Sequence, residues 1–282
     1  MKPEQKGLLL RILLNRAHGT VSEQILKTLP PDEAERVKTH TIAATDPEPL
    51  LKHAKQVLPD IHYTWLKDPL SKQEPIFQEG ILRCLEPAQA KALANAVGRN
   101  YNPNPLPPFL KRFYSSRLYA TFPLLHESLP LAYQEEGPLS FLAGLSKKEL
   151  IQLIDNLSMF DLAHEMKKIV ATKRLNSLFS SLSVKQQEFL RKCLHVKDRM
   201  ITAKLQIENV TGNELLLQLH KRGIARLGAA LSGQNEDLVW TIVHKLDHGR
   251  GVLLRKAIKN EPVPLITEAI IQQVQMAIKG AS

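Results

Sequence analysis

The side chains best suited to chemistry in this sequence are two histidines, His244 and His248, and two aspartates, Asp155 and Asp161. A four-residue spacing on one helix puts both imidazoles on the same face, an arrangement that can supply two ligands to zinc. Two more ligands would be needed, and Asp247 is the carboxylate at hand. The pair therefore reads as surface histidines rather than a metal centre. Asp155 and Asp161 could in principle share acid–base work, but on a helix they read as caps or solvated positions. The sequence has no zinc-protease histidine pair with its glutamate, no nucleophile-elbow serine, no phosphate-cradling glycine loop and no dinucleotide fingerprint. It offers no catalytic residue, metal ligand or cofactor-binding residue, and the expectation is a protein that is not an enzyme.

Charge is the next source of function. The 282 residues include 38 basic and 28 acidic side chains, a net +10, with 43% hydrophobic residues. That much apolar content excludes a disordered chain and suffices for more than one buried core. Cys84 and Cys193 are the only cysteines, so a disulfide scaffold is excluded and reduced thiols in the cytoplasm are expected. Residues 1–100 carry 14 basic and 12 acidic side chains, whereas residues 141–282 carry 21 and 13, a net +8. The C-terminal excess gathers in clusters, and Arg222, Arg226, Arg250, Arg255, Lys256 and Lys259 are the candidates for a partner-binding face. Such a face suits an acidic protein, an anionic lipid surface or nucleic acid. Nucleic acid is the less favoured option, because no recognition helix, zinc finger or aromatic platform accompanies the charge. The run Lys111–Tyr119 mixes basic and aromatic residues as a single-strand binder would, but beside prolines it reads more simply as packed.

The elements that would position these residues are helices. An amphipathic first helix, with Leu9, Leu10, Leu13 and Leu14 inward, is expected in place of a secretory leader, because Arg11 splits the leucine run. Helices are expected after Thr20–Ser22, Pro30–Asp32 and Asp46–Pro49, with Asp32 and Glu35 at cap-and-return spacing. Another spans Pro87–Val97, with Gly98 as its stop. Tyr101–Pro108 is too rich in proline for helix and reads as an extended connector. Eight of the fifteen aromatic residues fall between Tyr101 and Phe141, so this segment is expected to pack against a domain.

From residue 141 onward the pattern is helical. Ser146–Glu149, Thr211–Glu214 and Ser183–Gln186 match the capping box. Leu-Ser pairs at Leu145-Ser146, Leu182-Ser183 and Leu231-Ser232 are each expected to open an amphipathic helix, at spacings of 37 and 49 residues. That is near the roughly 40-residue period of armadillo-like arrays, whose stacked helices present extended binding surfaces. The expected fold is all-α: an N-terminal helical domain at 1–100, a proline- and aromatic-rich connector at 101–140, and an armadillo-like array at 141–282. No stretch is long and apolar enough to be a membrane span.

Asn213–His220, Ala229–Val239 and Leu253–Ile258, followed by Pro262-Val-Pro-Leu265 and a last helix at Thr267–Ile278, resemble the C-terminal helical region of FliG-type flagellar motor-switch proteins. The resemblance covers residues 211–280. In that family an acidic pair follows Leu-Arg and faces the stator; here the positions hold Lys256 and Ala257, and only Arg255 agrees. The family's glutamate-histidine-proline-glutamine run has no clear counterpart. A second stretch, Phe141–Leu150 through Leu162–Ile169 and Leu175–Leu194, looks like the helical core of SctK-type proteins of the type III secretion sorting platform. Together the resemblances imply a bacterial, non-enzymatic adaptor without cofactor, in the cytoplasm or peripheral at the inner-membrane face. Its partners would be ring or platform subunits, and self-association stays open.

Overall fold

Among the described residues, proline sets the start of five helices, at Pro31, Pro75, Pro87, Pro108 and Pro264. Its missing N–H costs nothing in the first turn, where that donor has no partner inside the helix, and its fixed φ already suits the helix. In the computed structural model, which describes residues 7, 10–14, 20–39, 55–126, 128, 137–196, 210, 212–259 and 264–279, the protein is all-α, and no strand occurs among the described residues. The helices are α1 (Thr20–Thr28), α2 (Pro31–Thr39), α3 (Lys67–Ser71), α4 (Pro75–Leu82), α5 (Pro87–Ala96), α6 (Pro108–Thr121), α7 (Lys147–Met166), α8 (Thr172–Ser180), α9 (Val184–Leu194), α10 (Gly212–Leu231), α11 (Glu236–Lys245), α12 (His248–Ala257) and α13 (Pro264–Lys279). Among the described residues no helix is long and apolar enough to cross a membrane.

The chain forms two units, one of Met1–Glu136 with Asn235–His248, the other of Gly137–Gln234 with Gly249–Ser282. These limits differ from the 1–100, 101–140 and 141–282 division read from the sequence. In the first unit the core is built from Leu58, Leu66, Leu70, Ile81, Leu93 and Phe122, and Trp240 of α11 belongs to it. Polar bonds fix α11 there: the His62 N–H donates to the His244 carbonyl at 2.9 Å, and Trp65 Nε1 donates to the Leu246 carbonyl at 2.8 Å. The sequence assigns α11 to the C-terminal array because its neighbours in the chain lie there. Burial of Trp240 and these bonds place it 170 or more residues back, against residues 58–66.

Helix α5 ends as its sequence dictates. Gly98 takes φ +70°, its N–H donates to the Asn95 carbonyl at 3.3 Å, and the Arg99 N–H donates to Ala94 at 2.9 Å. A side chain at that φ would be strained, so glycine is the residue that closes the helix this way. Residues 101–107 are not helical, as their prolines require. The aromatic segment after them is a helix, α6, which lies against α4, with Leu118 and Phe122 buried. Gly80 of α4 gives the Tyr114 ring room that a Cβ would fill.

Other local expectations need correction. At the N-terminus Ile12 and Leu14 are buried but Leu13 is 48% exposed, so the inward stripe runs through Ile12; Leu9 lies outside the described residues. Helix α2 begins at Pro31, and Asp32 is in its first turn rather than at its cap. There it still favours the helix, as an anion near the positive end of the macrodipole. Of the helix expected after Pro49 only residues 55–57 are described, and they are helical; the cap at Thr211 falls outside the described residues.

In the second unit α7 is central, with α9, α10 and α13 against it. Ser146 opens α7 with both bonds of a capping box, and Ser183 opens α9 with its glutamine version. The third Leu-Ser pair behaves differently. Leu231 is the last residue of α10, and the Ser232 hydroxyl donates to the Gly228 carbonyl at 2.9 Å while accepting from the Lys259 N–H at 3.0 Å. Asn235, not Ser232, caps the following helix, accepting from the Asp237 N–H at 2.8 Å.

Candidate functional site

Helices α7 and α10 each contribute polar side chains to an interior that leucines otherwise fill. Asp155 and Asp161 of α7 meet His220 and Arg226 of α10, and both pairs are 65 residues apart. A constant offset means the two helices run in the same direction. Gly223 and Gly228 let α10 approach its neighbours: a Cβ at Gly223 would run into the Ile154 carbonyl of α7, and one at Gly228 would lie 2.5 Å from the Ala257 Cβ. Glycine inside a helix costs about 1 kcal/mol relative to alanine, so two in one helix signal contact with a backbone.

Arg226 is fully buried and Asp161 is 2% exposed. Arg226 Nε donates to Asp161 Oδ2 at 3.0 Å, Nη2 donates to Oδ1 at 2.7 Å, and Nη1 donates to Gln273 Oε1 of α13 at 2.7 Å. The guanidinium also lies 5.7 Å from the centre of the Phe160 ring. Desolvating both ions costs several kcal/mol each, and only this bidentate geometry with a third acceptor offsets it. The fork therefore ties α7, α10 and α13 to one register. Arg226 is not part of a docking face, and Asp161 is neither a cap nor solvated. Six residues earlier on α7, His220 Nδ1 lies 2.6 Å from Asp155 Oδ1, and Arg250 Nε donates to His220 Nε2 at 2.8 Å. An arginine can only donate, so Nε2 accepts and Nδ1 carries the proton given to Asp155. The lone pair a general base would use is thus engaged by Arg250, and the imidazole acts as a link between α7, α10 and α12.

Of the six cations singled out in the sequence, Arg226 is buried and Arg222 and Arg250 are half-buried. Arg255, Lys256 and Lys259 are exposed. Leu253, on the same helix, is 46% exposed, while Leu254 packs inward. No acidic residue occurs from His248 to Lys259, so this stretch presents cations together with an apolar side chain.

In the first unit, His244 and His248 lie on different helices, α11 and α12. His244 is buried: its ring stacks at a tilt 4.2 Å from Trp240 and 4.5 Å from Trp65, and Nδ1 donates to the Trp240 carbonyl at 2.8 Å. His248 is exposed, with its ring at the Trp65 edge, 4.6 Å away. The expected pair of surface histidines is thus half correct, since the chain turns between them and carries His244 into the aromatic core. Among the described residues no group of three or more ligating side chains is placed to hold a metal. Neither Trp65 nor His220 stood out in the sequence, because their partners are 181 and 65 residues away and leave no local pattern.

Burial pushes the Cys84 thiol up, and a hydrogen bond with Ser115 and the charges of Lys111 and Arg83 only partly oppose this. The Tyr119 phenol is raised too, chiefly by burial and then by Cys84. Cys193 is buried. At pH 8 iodoacetamide is expected to alkylate both native thiols several-fold more slowly than free cysteine, Cys84 because thiolate is the reacting form and Cys193 because burial shields it from the reagent. Mass spectrometry over time, with urea-unfolded protein as reference, checks this; native labelling at the unfolded rate would refute it.

Clefts open among the described residues of the second unit. One of about 490 Å³ is lined by Asn176, Phe179, Ser180, Gln187 and Arg191, and Gln187 Nε2 is already committed to the Phe179 and Leu182 carbonyls. Another, about 400 Å³, is lined by Val196, Leu265, Glu268 and Gln272 among others. No family model matches the chain, and neither does any curated protein or solved structure.

Proposed function

We propose that the chain is a non-enzymatic adaptor that binds other protein subunits through the basic end of α12. The observation carrying this reading is the exposure of Arg255, Lys256 and Lys259 together with the half-exposed Leu253, with no acidic side chain from His248 to Lys259. An apolar contact accompanied by cations favours an acidic partner surface, with charge speeding encounter and apolar burial holding the complex. The sequence resemblance to FliG-type and SctK-type proteins supports ring or platform subunits of a secretion or flagellar-type apparatus as the partners. It also supports a position in the cytoplasm beneath the inner membrane. In this reading the second unit serves as an armadillo-like scaffold, and the bonds of Arg226 and His220 hold its helices rigid under the docking face.

The test is the charge-reversed variant R255E/K256E/K259E. Recovery of ring and platform subunits by affinity purification from the native cell should fall on the order of tenfold, with the circular dichroism spectrum unchanged. Undiminished recovery would remove α12 from the interface. Nucleic acid on the same face is the rival reading. It predicts binding to arbitrary duplex that weakens steeply between low and moderate salt and is lost in the same variant.

A further inference from the structure

We infer that the outer face of α6, in the first unit, is a second docking site, one that receives an acidic amphipathic helix of a partner protein. The site goes beyond the adaptor reading of α12 and stands on separate residues. Phe109, Phe113 and Arg117 follow one another at four-residue steps on α6, so they share a helical face. Phe109 is 71% exposed and Phe113 48%, and Ile76, at the start of the adjoining α4, is 63% exposed. Arg112 and Arg117 are exposed beside them, while Lys111, also exposed, lies on the Cys84 side of the helix.

The opposite face is already satisfied. Leu118 and Phe122 are buried in the unit's core, and Tyr114 lies against Gly80. Rotating the helix to hide its phenylalanines would expose that face, so the aromatic side chains outside are a second apolar surface. Scattered exposed apolar side chains are ordinary; two phenylalanines sharing one helical face with cations beside them have the anatomy of an interface.

Charge selects the occupant. From Tyr101 to Phe122 there is no acidic residue and there are three basic ones. On α4 Glu79 stands 3.8 Å from Arg83 and Glu74 is exposed two residues before Ile76, so the positive charge belongs to the α6 side of the site. The Arg117 guanidinium sits 4.8 Å from the centre of the Phe77 ring, which pins a cation at the margin of the apolar group. Phe109 and Phe113 are about 6 Å apart along the helix axis, the repeat at which a partner helix presents its own apolar side chains. A helix with leucines on one face and glutamates beside them matches both the spacing and the sign. A nucleic-acid strand fits less well. Ile76 offers no ring face, and Phe113 is engaged by Tyr114 and Phe77, with centroids 5.2 Å and 6.4 Å away.

Fluorescence anisotropy with the full chain tests this. The probe is a labelled peptide of about five helical turns, leucines on one face and glutamates flanking them. Its lysine-for-glutamate counterpart and an oligothymidine serve as comparisons. The glutamate peptide should bind and the lysine peptide should not. Phe109→Ser and Arg112→Glu, each at an exposed position, should each weaken binding several-fold and together at least tenfold, with circular dichroism unchanged. R255E/K256E/K259E should leave this binding as it is. The proposal is overturned if the glutamate peptide fails to bind, or if only Arg112→Glu has an effect, which would mean unspecific charge attraction. Loss of binding in the α12 variant would also overturn it, as would oligothymidine binding more tightly than the peptide and being lost on the same α6 substitutions.

Discussion

Arg226→Ala is expected to destabilise the second unit by about 3–5 kcal/mol, the cost of leaving a buried carboxylate without its cation. Asp161 is 2% exposed and would lose both guanidinium bonds, while Gln273 Oε1 would lose the donor at 2.7 Å. Both tryptophans, Trp65 and Trp240, lie in the first unit, so their fluorescence reports on that unit alone. The effect should therefore be followed by far-ultraviolet circular dichroism under urea or heat, which registers the helices of both units. Asp161→Leu combined with Arg226→Met should cost less than either single change, because it removes both ions and keeps apolar volume. A single substitution costing under about 1 kcal/mol would show that the pair is solvated in solution and does not hold the register.

Gly223→Val should be as damaging, through sterics rather than charge. The new Cβ would meet the Ile154 carbonyl oxygen of α7, with the Ile154 carbonyl carbon 2.7 Å away. Backbone cannot swing aside as a side-chain tip can, so α7 and α10 must separate, and the cost should reach or exceed the roughly 1–3 kcal/mol of ordinary overpacking. Separation would also stretch the bonds from Arg226 to Asp161 and from His220 to Asp155, which join the same two helices. Gly144→Ala is the control, since a Cβ there meets nothing within 4 Å. A melting curve for Gly223→Val that matches the control would mean the helices pack less closely than described.

Most elements were legible because helix limits are written in local chemistry. Pro87 and Gly98 bracket α5, and Ser146 with Glu149 and Ser183 with Gln186 open α7 and α9, each through bonds spanning only a few residues. The same locality misled at Ser232. A serine after leucine fits a helix start, but here its hydroxyl turns back to Gly228 and receives the Lys259 N–H. The basic clusters were legible as charge but not as surface. Arg226 and Arg255 look alike in sequence, and only packing separates a buried fork from an exposed cation.

The amino-acid sequence by itself determined an all-α protein, the stops and starts of many helices and its basic character. These depend on composition, on the helical repeat and on contacts within one turn. Tertiary structure alone decided that α11 completes the core of the first unit, that Asp161 holds Arg226, and that Phe109 faces outward. The physical reason is range: burial and ion pairing depend on which distant residues come within a few ångströms, and for Trp65 and Leu246 that distance along the chain is 181 residues.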